Sequence, residues 1–209
     1  WQRKEDNTIV RDWKEFADSM LSIPMAHQMA TNYMILDGTP NKQTLKVMRP
    51  YQVYATQEVI EGLKQVDFDL GNNKVGYIWH TTGSGKTITS FKTAWLASRM
   101  PKVDKVVFVV DRIQLTKQTN ENYRAYDPDA TDDFEGIVQD TTILRFNRKL
   151  RSRLMGLLLH LCRSWILLLR ENHLKDPEKN IVFIVDEAHR STGGDSFENI
   201  QKAFKHAAW

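Results

Sequence analysis

The sequence predicts an α/β fold in which a parallel sheet carries helices on both faces. Two segments, Val106 to Val110 and Ile181 to Val185, are continuously apolar, which is typical of strands buried on both sides. Segments with helical periodicity alternate with the strands, most clearly Ile88 to Met100. This alternation favours a parallel sheet, because parallel strands need a long crossover that is usually a helix. With 209 residues, 41% of them hydrophobic, the chain is long enough for one such domain and an appendage.

The other elements follow in order along the chain. We expect residues 1–48 to form an N-terminal linker of short helices that contains a turn at Asp37-Gly38-Thr39-Pro40, and residues 49–209 to form the main domain. Pro50 suits the first turn of a helix that opens this domain. The patterns then predict a strand at 75–79, a loop, a helix at 86–99, a strand at 105–110, a helix at 113–125, an acidic loop at 127–140 and a strand at 181–185.

Composition narrows the class of protein. The net charge of +3 permits nucleic-acid binding without arguing for it. A single cysteine, Cys162, excludes an internal disulfide, and the polar first twenty residues do not resemble a secretory signal, so we expect a cytoplasmic protein. His160 and Arg163 interrupt the most apolar stretch, so we predict no membrane span. Because the chain begins at Trp1 without a methionine, we expect a fragment.

The run His80-Thr81-Thr82-Gly83-Ser84-Gly85-Lys86-Thr87 predicts a phosphate-binding loop. It matches the pattern G-x-x-x-x-G-K-T except at His80, which stands in place of the first glycine. Glycine lets the backbone turn tightly and aim its N–H groups at phosphate oxygens at the start of the following helix. Lys86 would reach the β- and γ-phosphates of ATP, and the Thr87 hydroxyl would bind Mg²⁺. We expect the phosphates to be held by Thr82, Gly83, Ser84, Gly85, Lys86 and Thr87.

The segment Val185-Asp186-Glu187-Ala188-His189 supplies the acidic half of such a site. Asp186 ends a predicted strand and would hold the same Mg²⁺ through its water shell, while Glu187 would act as the base for the attacking water. The alternative is a glycine turn between a strand and a helix that binds no ligand. The acidic pair at the end of a second apolar strand favours the ATP site.

Four segments together resemble a known family: Arg49-Pro50-Tyr51-Gln52, Trp79 to Thr87, Phe108-Val109-Val110-Asp111-Arg112 and Val185 to Ser191. The combination is similar to the restriction (R) subunit of type I restriction-modification enzymes, a superfamily-two DNA translocase joined to a nuclease. The resemblance implies a RecA-like P-loop NTPase lobe that uses ATP and Mg²⁺ and acts on double-stranded DNA. It also implies methyltransferase and specificity subunits as partners.

The resemblance assigns further roles residue by residue. Gln52 would read the adenine base, where the alternative is a polar residue on a helix surface. Asp111 and Arg112 would lie near the DNA track, where an ion pair at a strand end is the alternative. Lys117 would touch DNA phosphates or belong to a solvated helix face. His189, in the Asp-Glu-Ala-His motif, would act with the catalytic residues and couple the nucleotide site to DNA.

The implied function is ATP hydrolysis that moves duplex DNA before cleavage by a nuclease domain missing from this chain. We expect the isolated chain to bind ATP weakly and to translocate nothing, because the second motor lobe usually supplies an arginine finger. One alternative is another superfamily-two DNA helicase, for repair or for type III restriction. Another is a noncatalytic remnant that only docks on partner subunits.

Between Asp140 and Glu171 the resemblance fails, although it is strong on both sides. The family expects an apolar strand that ends in Thr-(Ser/Thr)-x-Gln-Lys-Leu. Codons for His160 to Ile166, read one base earlier, permit Thr-Ser-Met-Gln-Lys-Leu-Asp. We therefore interpret residues 144–169 as a compensated frameshift, with a real insertion that forms a basic amphipathic helix as the alternative. Since Leu157, Leu158 and Leu159 are apolar in the present frame, we expect a strand there in either case.

Overall fold

The computed structural model of the chain describes residues 1–39, 41–70, 73–110, 121–123, 125–126, 156–161, 178–186, 188 and 201–209. Its helices are α1 (Trp13–Phe16), α2 (Met25–Asn32), α3 (Pro50–Gln65) and α4 (Lys86–Ala97), with a π-helical turn at Ala17–Leu21 and a 3₁₀ turn at Phe68–Leu70. Its strands are β1 (Met34–Thr39), β2 (Lys42–Val47), β3 (Lys105–Val110), β4 (Gly156–Leu161), β5 (Ile181–Val185) and β6 (Ala207–Ala208).

Four of these strands form a parallel sheet in the order β4-β3-β5-β6. Val107 of β3 pairs with Leu158 of β4 on one side and with Phe183 of β5 on the other. The predicted parallel sheet is confirmed, and the strands predicted at 105–110 and 181–185 have the predicted bounds. The strand expected over Leu157 to Leu159 is also present as β4, so a helix through that part of the chain is excluded.

Side chains alternate between the two faces of each strand, and both faces are covered. On one face Val106, Phe108 and Val182 pack in a cluster with Phe91 and Ala94 of α4. On the opposite face, Phe183 of β5 lies against Phe204 and Trp209, with ring centroids 5.0 and 4.1 Å away. Residues 201–203 are helical, so helical segments lie on both sides of the sheet, as predicted.

Helices α3 and α4 form a layer over the sheet. Pro50 occupies the first turn of α3, as predicted, where a missing N–H costs nothing. Leu63 of α3 belongs to the cluster that α4 shares with the sheet. Val53 and Tyr54, on another side of α3, pack with Met29 and Tyr33, so α2 rests on this helix.

The strand predicted at 75–79 is wrong. Residues 74–80 are not in a strand. The segment leading to the loop pairs with β6 only at its start: the N–H groups of Asn73 and Val75 donate to Ala207 and Trp209, at 3.1 and 2.8 Å. Gly76 then adopts a φ of +151°, which lies outside the extended region of a β-strand. Apolar sequence alone therefore does not produce a strand here.

Four other predictions can be compared with the structure. The helix predicted at 86–99 ends at Ala97, two residues early. Of the helix predicted at 113–125, residues 121–123 and 125 are helical, and the rest lies outside the described residues, as does the acidic loop at 127–140. The N-terminal 48 residues contain the expected short helices, but they also form the antiparallel hairpin of β1 and β2, which the sequence patterns had not predicted.

Candidate nucleotide-binding site

The loop between residue 80 and α4 turns on two glycines in left-handed conformations. Gly83 has a φ of +77° and Gly85 a φ of +82°. Residues with a Cβ rarely adopt such angles, so glycine is required for this path. The carbonyl of Gly85 accepts the first bonds of α4, from the N–H groups of Ile88 and Thr89 at 3.0 and 3.2 Å. The loop thus leads straight into the N-terminus of a helix.

Ser84, between the two glycines, is the residue that fixes the loop. Its N–H and its hydroxyl both donate to the carbonyl oxygen of Thr81, at 3.2 and 2.7 Å. Its hydroxyl oxygen also lies 2.9 Å from Nδ1 of His80. Its carbonyl oxygen accepts two bonds from α3, from the Tyr51 hydroxyl at 2.7 Å and from Nε2 of Gln52 at 2.8 Å. Every polar group of Ser84 is therefore engaged.

Gln52 is buried, with 4% of its surface exposed, so the alternative of an exposed helix residue does not describe it. Its Oε1 accepts the N–H of Arg49 at 2.9 Å, while its Nε2 donates to Ser84. Both ends of the amide thus bind backbone groups. In this arrangement Gln52 ties α3 to the loop, and a contact between Gln52 and adenine stays a prediction.

The two glycines differ in their surroundings. A Cβ on Gly85 would overlap Nε2 of Gln52, whereas a Cβ on Gly83 would have no heavy atom of the described residues within 4 Å. Gly85 is therefore required by both its φ angle and its packing, and Gly83 by its φ angle alone. The open space at Gly83 leaves one side of the loop accessible.

Lys86 and Asp186 bring the two predicted halves of the site together. Nζ of Lys86, the first residue of α4, lies 2.9 Å from Oδ1 of Asp186. Asp186 follows β5, and its N–H donates to the carbonyl of Val109 in β3 at 2.9 Å. The carboxyl ends of two neighbouring parallel strands thus hold the carboxylate at the edge where open α/β sheets bind ligands.

The loop presents backbone donors without partners. Within the described part of the chain, the N–H groups of Gly83, Gly85 and Thr87 donate no hydrogen bond. These donors stand at the positive end of α4, beside the ammonium of Lys86, and Thr82 is exposed on the adjoining turn. Unpaired N–H groups, a helix N-terminus and a lysine together fit a polyphosphate.

Fewer described residues are available to bind Mg²⁺ than to bind phosphate. Thr87 lies in the first turn of α4, where its carbonyl accepts the Ser90 hydroxyl at 3.0 Å. Among the described residues, no three His, Cys, Asp or Glu side chains cluster as a metal site. Thr87 and Asp186 fit Mg²⁺ only together with phosphate oxygens and water, which is how this ion is usually bound. The other predicted site residues lie outside the described residues: Glu187, His189, Asp111, Arg112 and Lys117.

The structure adds residues that the sequence patterns had not singled out. Tyr51 belongs to the segment Arg49-Pro50-Tyr51-Gln52, but the sequence at the start of a helix does not predict that its hydroxyl contacts Ser84. Tyr123 is fully buried, and its hydroxyl lies 2.9 Å from that of Ser90, one turn beyond Thr87. Burial raises the pKa of Tyr123, so this phenol stays neutral.

The fold and the loop together define an α/β lobe of the RecA-like P-loop class. Solved structures share this fold: a Sulfolobus solfataricus SWI2/SNF2 ATPase core in complex with dsDNA has a TM-score of 0.54 at 16% identity, over 87% of this chain and 33% of that one. The ATP-dependent type ISP restriction-modification enzyme LlaBIII bound to DNA has a TM-score of 0.54 at 21% identity, over 81% of this chain and 13% of that one.

Sequence comparison narrows the class. Residues 45–209 match the family model described as type III restriction enzyme, res subunit. The SauMSSORF170P endonuclease subunit of a Staphylococcus aureus type I restriction enzyme is 36% identical over 100% of this chain and 21% of its own length. A Mycoplasma pneumoniae protein, described as the C-terminal part of the putative type I restriction enzyme MpnIIP endonuclease subunit, is 35% identical over 98% of this chain and 99% of its own length. The chain therefore belongs to the family of type I restriction enzyme endonuclease subunits.

No helix among the described residues is both long enough and apolar enough to cross a membrane.

Proposed function

We propose that this chain is the first motor lobe of a type I restriction enzyme, which binds and hydrolyses ATP with Mg²⁺ to move double-stranded DNA before a nuclease domain cuts it. The observation that carries the proposal is the 2.9 Å contact between Lys86 and Asp186, the lysine and the carboxylate that would share one nucleotide. The chain spans 21% of the length of its S. aureus relatives, so translocation and cleavage would belong to a longer subunit. Methyltransferase and specificity subunits would be its partners, in the cytoplasm.

The described residues suggest how the lobe would receive ATP. The Lys86 ammonium would exchange Asp186 for phosphate oxygens. The N–H groups of Gly83, Gly85 and Thr87, which have no acceptor among the described residues, would bind the same phosphates. Asp186, released from Lys86, would hold Mg²⁺ with the Thr87 hydroxyl. When bound, Mg²⁺ neutralises charge that develops on the phosphates. The ion pair is therefore a resting arrangement that keeps both charged groups compensated.

The catalytic and DNA-facing roles rest on the sequence. Glu187 would activate the attacking water, and His189 would couple nucleotide and DNA. Asp111, Arg112 and Lys117 would lie on the DNA track, and Gln52 would read adenine. These roles remain part of the proposal.

Direct titration with a fluorescent ATP analogue and Mg²⁺ tests the proposal. We expect Lys86→Ala to weaken binding at least about tenfold, the usual scale of removing a charge-assisted hydrogen bond. Lys74→Ala is the matched control, because Lys74 is an exposed lysine of the segment before the same loop. Far-ultraviolet circular dichroism of both variants verifies that they are folded. Equal affinity of the two variants for the ATP analogue would contradict the proposed role of Lys86.

A noncatalytic docking remnant is the second candidate. The M. pneumoniae relative favours it, because that protein has nearly the same extent as this chain and is described as only a part of a subunit. If the wild-type chain is folded but binds no ATP at any Mg²⁺ concentration, the result would favour the docking remnant over the motor lobe.

A further inference from the structure

Position 80 holds a histidine where the general phosphate-loop pattern has a glycine, and the proposed function gives that histidine no role. His80 precedes the loop and reaches across it, because its Nδ1 lies 2.9 Å from the hydroxyl oxygen of Ser84, four residues on. Its Nε2 is buried and has no hydrogen-bond partner among the described residues. A buried polar atom without a partner is uncommon and calls for an explanation.

The hydrogen bonds around Ser84 fix which nitrogen of His80 carries the proton. The Ser84 hydroxyl lies 2.7 Å from the carbonyl oxygen of Thr81, which is an acceptor only, so the single hydroxyl proton is donated there. The hydroxyl oxygen must then accept from His80, and Nδ1 must carry the hydrogen. In the neutral ring Nε2 is consequently the atom with the lone pair.

The surroundings keep the ring neutral. Burial lowers the pKa of His80, and the positive charge of Lys86 lowers that pKa further. A second proton would sit on the buried Nε2, which has no described acceptor, near an ammonium group. The ring therefore serves as a fixed donor at Nδ1.

We propose that His80 is a positioning residue for the phosphate-binding loop, which holds Ser84 in place by donating from Nδ1 to the Ser84 hydroxyl. The inference rests on the proposed nucleotide site, since that site gives the loop its purpose. Ser84 stands between two glycines in left-handed conformations. Because glycine adopts many other backbone conformations as well, these two residues do not hold the loop in one path by themselves. Helix α3 holds the carbonyl of Ser84, and His80 holds its side chain, so the two contacts fix opposite sides of one residue.

Two amide substitutions separate the nitrogens of the ring. Asparagine places an N–H₂ group at the position of Nδ1, whereas glutamine places one at the position of Nε2. We expect His80→Ala and His80→Gln to weaken binding of a fluorescent ATP analogue with Mg²⁺ by about fivefold to tenfold, the scale of one hydrogen bond, and His80→Asn to bind nearly as wild type does. Equal losses in the Asn and Gln variants would overturn the proposal.

A second measurement needs no nucleotide. Nitrogen-15 spectra of the imidazole rings should show a protonated Nδ1 and an unprotonated Nε2 for His80, with exposed His27 of α2 as the reference ring in the same sample. Amide hydrogen exchange at Ser84 should quicken in His80→Ala and stay slow in His80→Asn. A ring protonated at Nε2 would refute the inference. If these results hold while the wild-type chain binds no ATP, the positioning role stands and the proposed function fails.

Discussion

The side-chain amide of Gln52 donates to the carbonyl of Ser84 over 2.8 Å and occupies the space that a Cβ on Gly85 would need. Helix α3 and the loop that precedes α4 are thereby in direct contact. Substitutions in α3 at this contact should therefore affect the loop, and substitutions in the loop should affect α3.

Replacing Gln52 by alanine should lower the free energy of unfolding by about 1–3 kcal/mol, because the N–H of Arg49 and the carbonyl of Ser84 would each lose a hydrogen-bond partner. Urea unfolding followed by tryptophan fluorescence measures this change. Gln65→Ala, at the exposed end of the same helix, should change stability by less than about 0.5 kcal/mol. Indistinguishable stabilities for the two variants would mean that the Gln52 amide contributes nothing.

Gly85→Ala should destabilise the chain more than Gly83→Ala. Each substitution forces a Cβ onto a left-handed residue, at about 1–2 kcal/mol. At position 85 the Cβ also collides with Gln52. Because alanine at 52 removes that collision, the additional cost of Gly85→Ala should shrink in a Gln52→Ala background. A double-mutant cycle of unfolding free energies measures the coupling, and strictly additive effects would contradict it.

The chain should lose stability in alkali through Tyr123. Its pKa in the folded state is raised by burial, so the unfolded chain releases the proton first, near pH 10. A group whose pKa is higher in the folded state than in the unfolded state makes its full contribution to stability at pH values below the unfolded-state pKa. That contribution is lost as the pH rises above the unfolded-state pKa. Tyr123→Phe should flatten this decline while costing about 1 kcal/mol at neutral pH for the bond to Ser90. Thermal unfolding from pH 8 to 11 provides the test, and an unchanged slope in the variant would count against it.

Phe204→Ala should be among the most damaging single changes. Phe204 is 1% exposed and meets Phe183 on the face of the sheet opposite to α4. Loss of a buried phenylalanine costs about 3–5 kcal/mol, measured here by urea unfolding. Tyr77→Ala, at a tyrosine that is 88% exposed, is the control and should be nearly neutral. A mild effect at 204 would mean that this face of the sheet is not part of the core.

Resequencing of the gene across codons 144–169 tests the frameshift. We expect compensating single-base changes on either side of the stretch, relative to close relatives, with Thr-Ser-Met-Gln-Lys-Leu in the restored frame. An in-frame reading without insertions or deletions would end the hypothesis. In a full-length subunit, the restored frame should raise DNA-stimulated ATPase activity. Equal stimulation in both frames would refute the predicted loss of DNA coupling.

Sequence patterns correctly predicted the strands and the helix that are marked by their own apolar residues. The apolar runs of β3 and β5 and the helical periodicity of α4 depend on burial at each position, so their positions were correct within two residues. The hairpin of β1 and β2 escaped prediction because Leu36 and Leu45 are exposed and no buried alternation marks the strands. The failed strand at 75–79 had the right composition, but composition does not report the backbone conformation of Gly76, which leaves the extended region.

The same limit applies to the site. Motif spacing identified the loop, Lys86 and Asp186, and the structure brings the last two together. Ser84 is hydrogen-bonded to Tyr51, Gln52, His80 and Thr81, and the two bonds from α3 connect residues more than thirty positions apart. Which side chain reaches a given carbonyl depends on how α3 lies over α4. Nothing in the spacing of a motif contains that information.

The short ladder between residues 73–75 and 207–209 sets an order of events during synthesis. The two segments are separated by more than half of the chain, so the contact closes a long loop and forms late. A ribosome releases the segment that leads into the phosphate loop well before residues 207–209 emerge. Until then that segment, with its exposed Tyr77 and Trp79, lacks its neighbour in the sheet and is open to chaperones or to wrong pairing. The proposed nucleotide binding should therefore be acquired only after residues 207–209 have emerged.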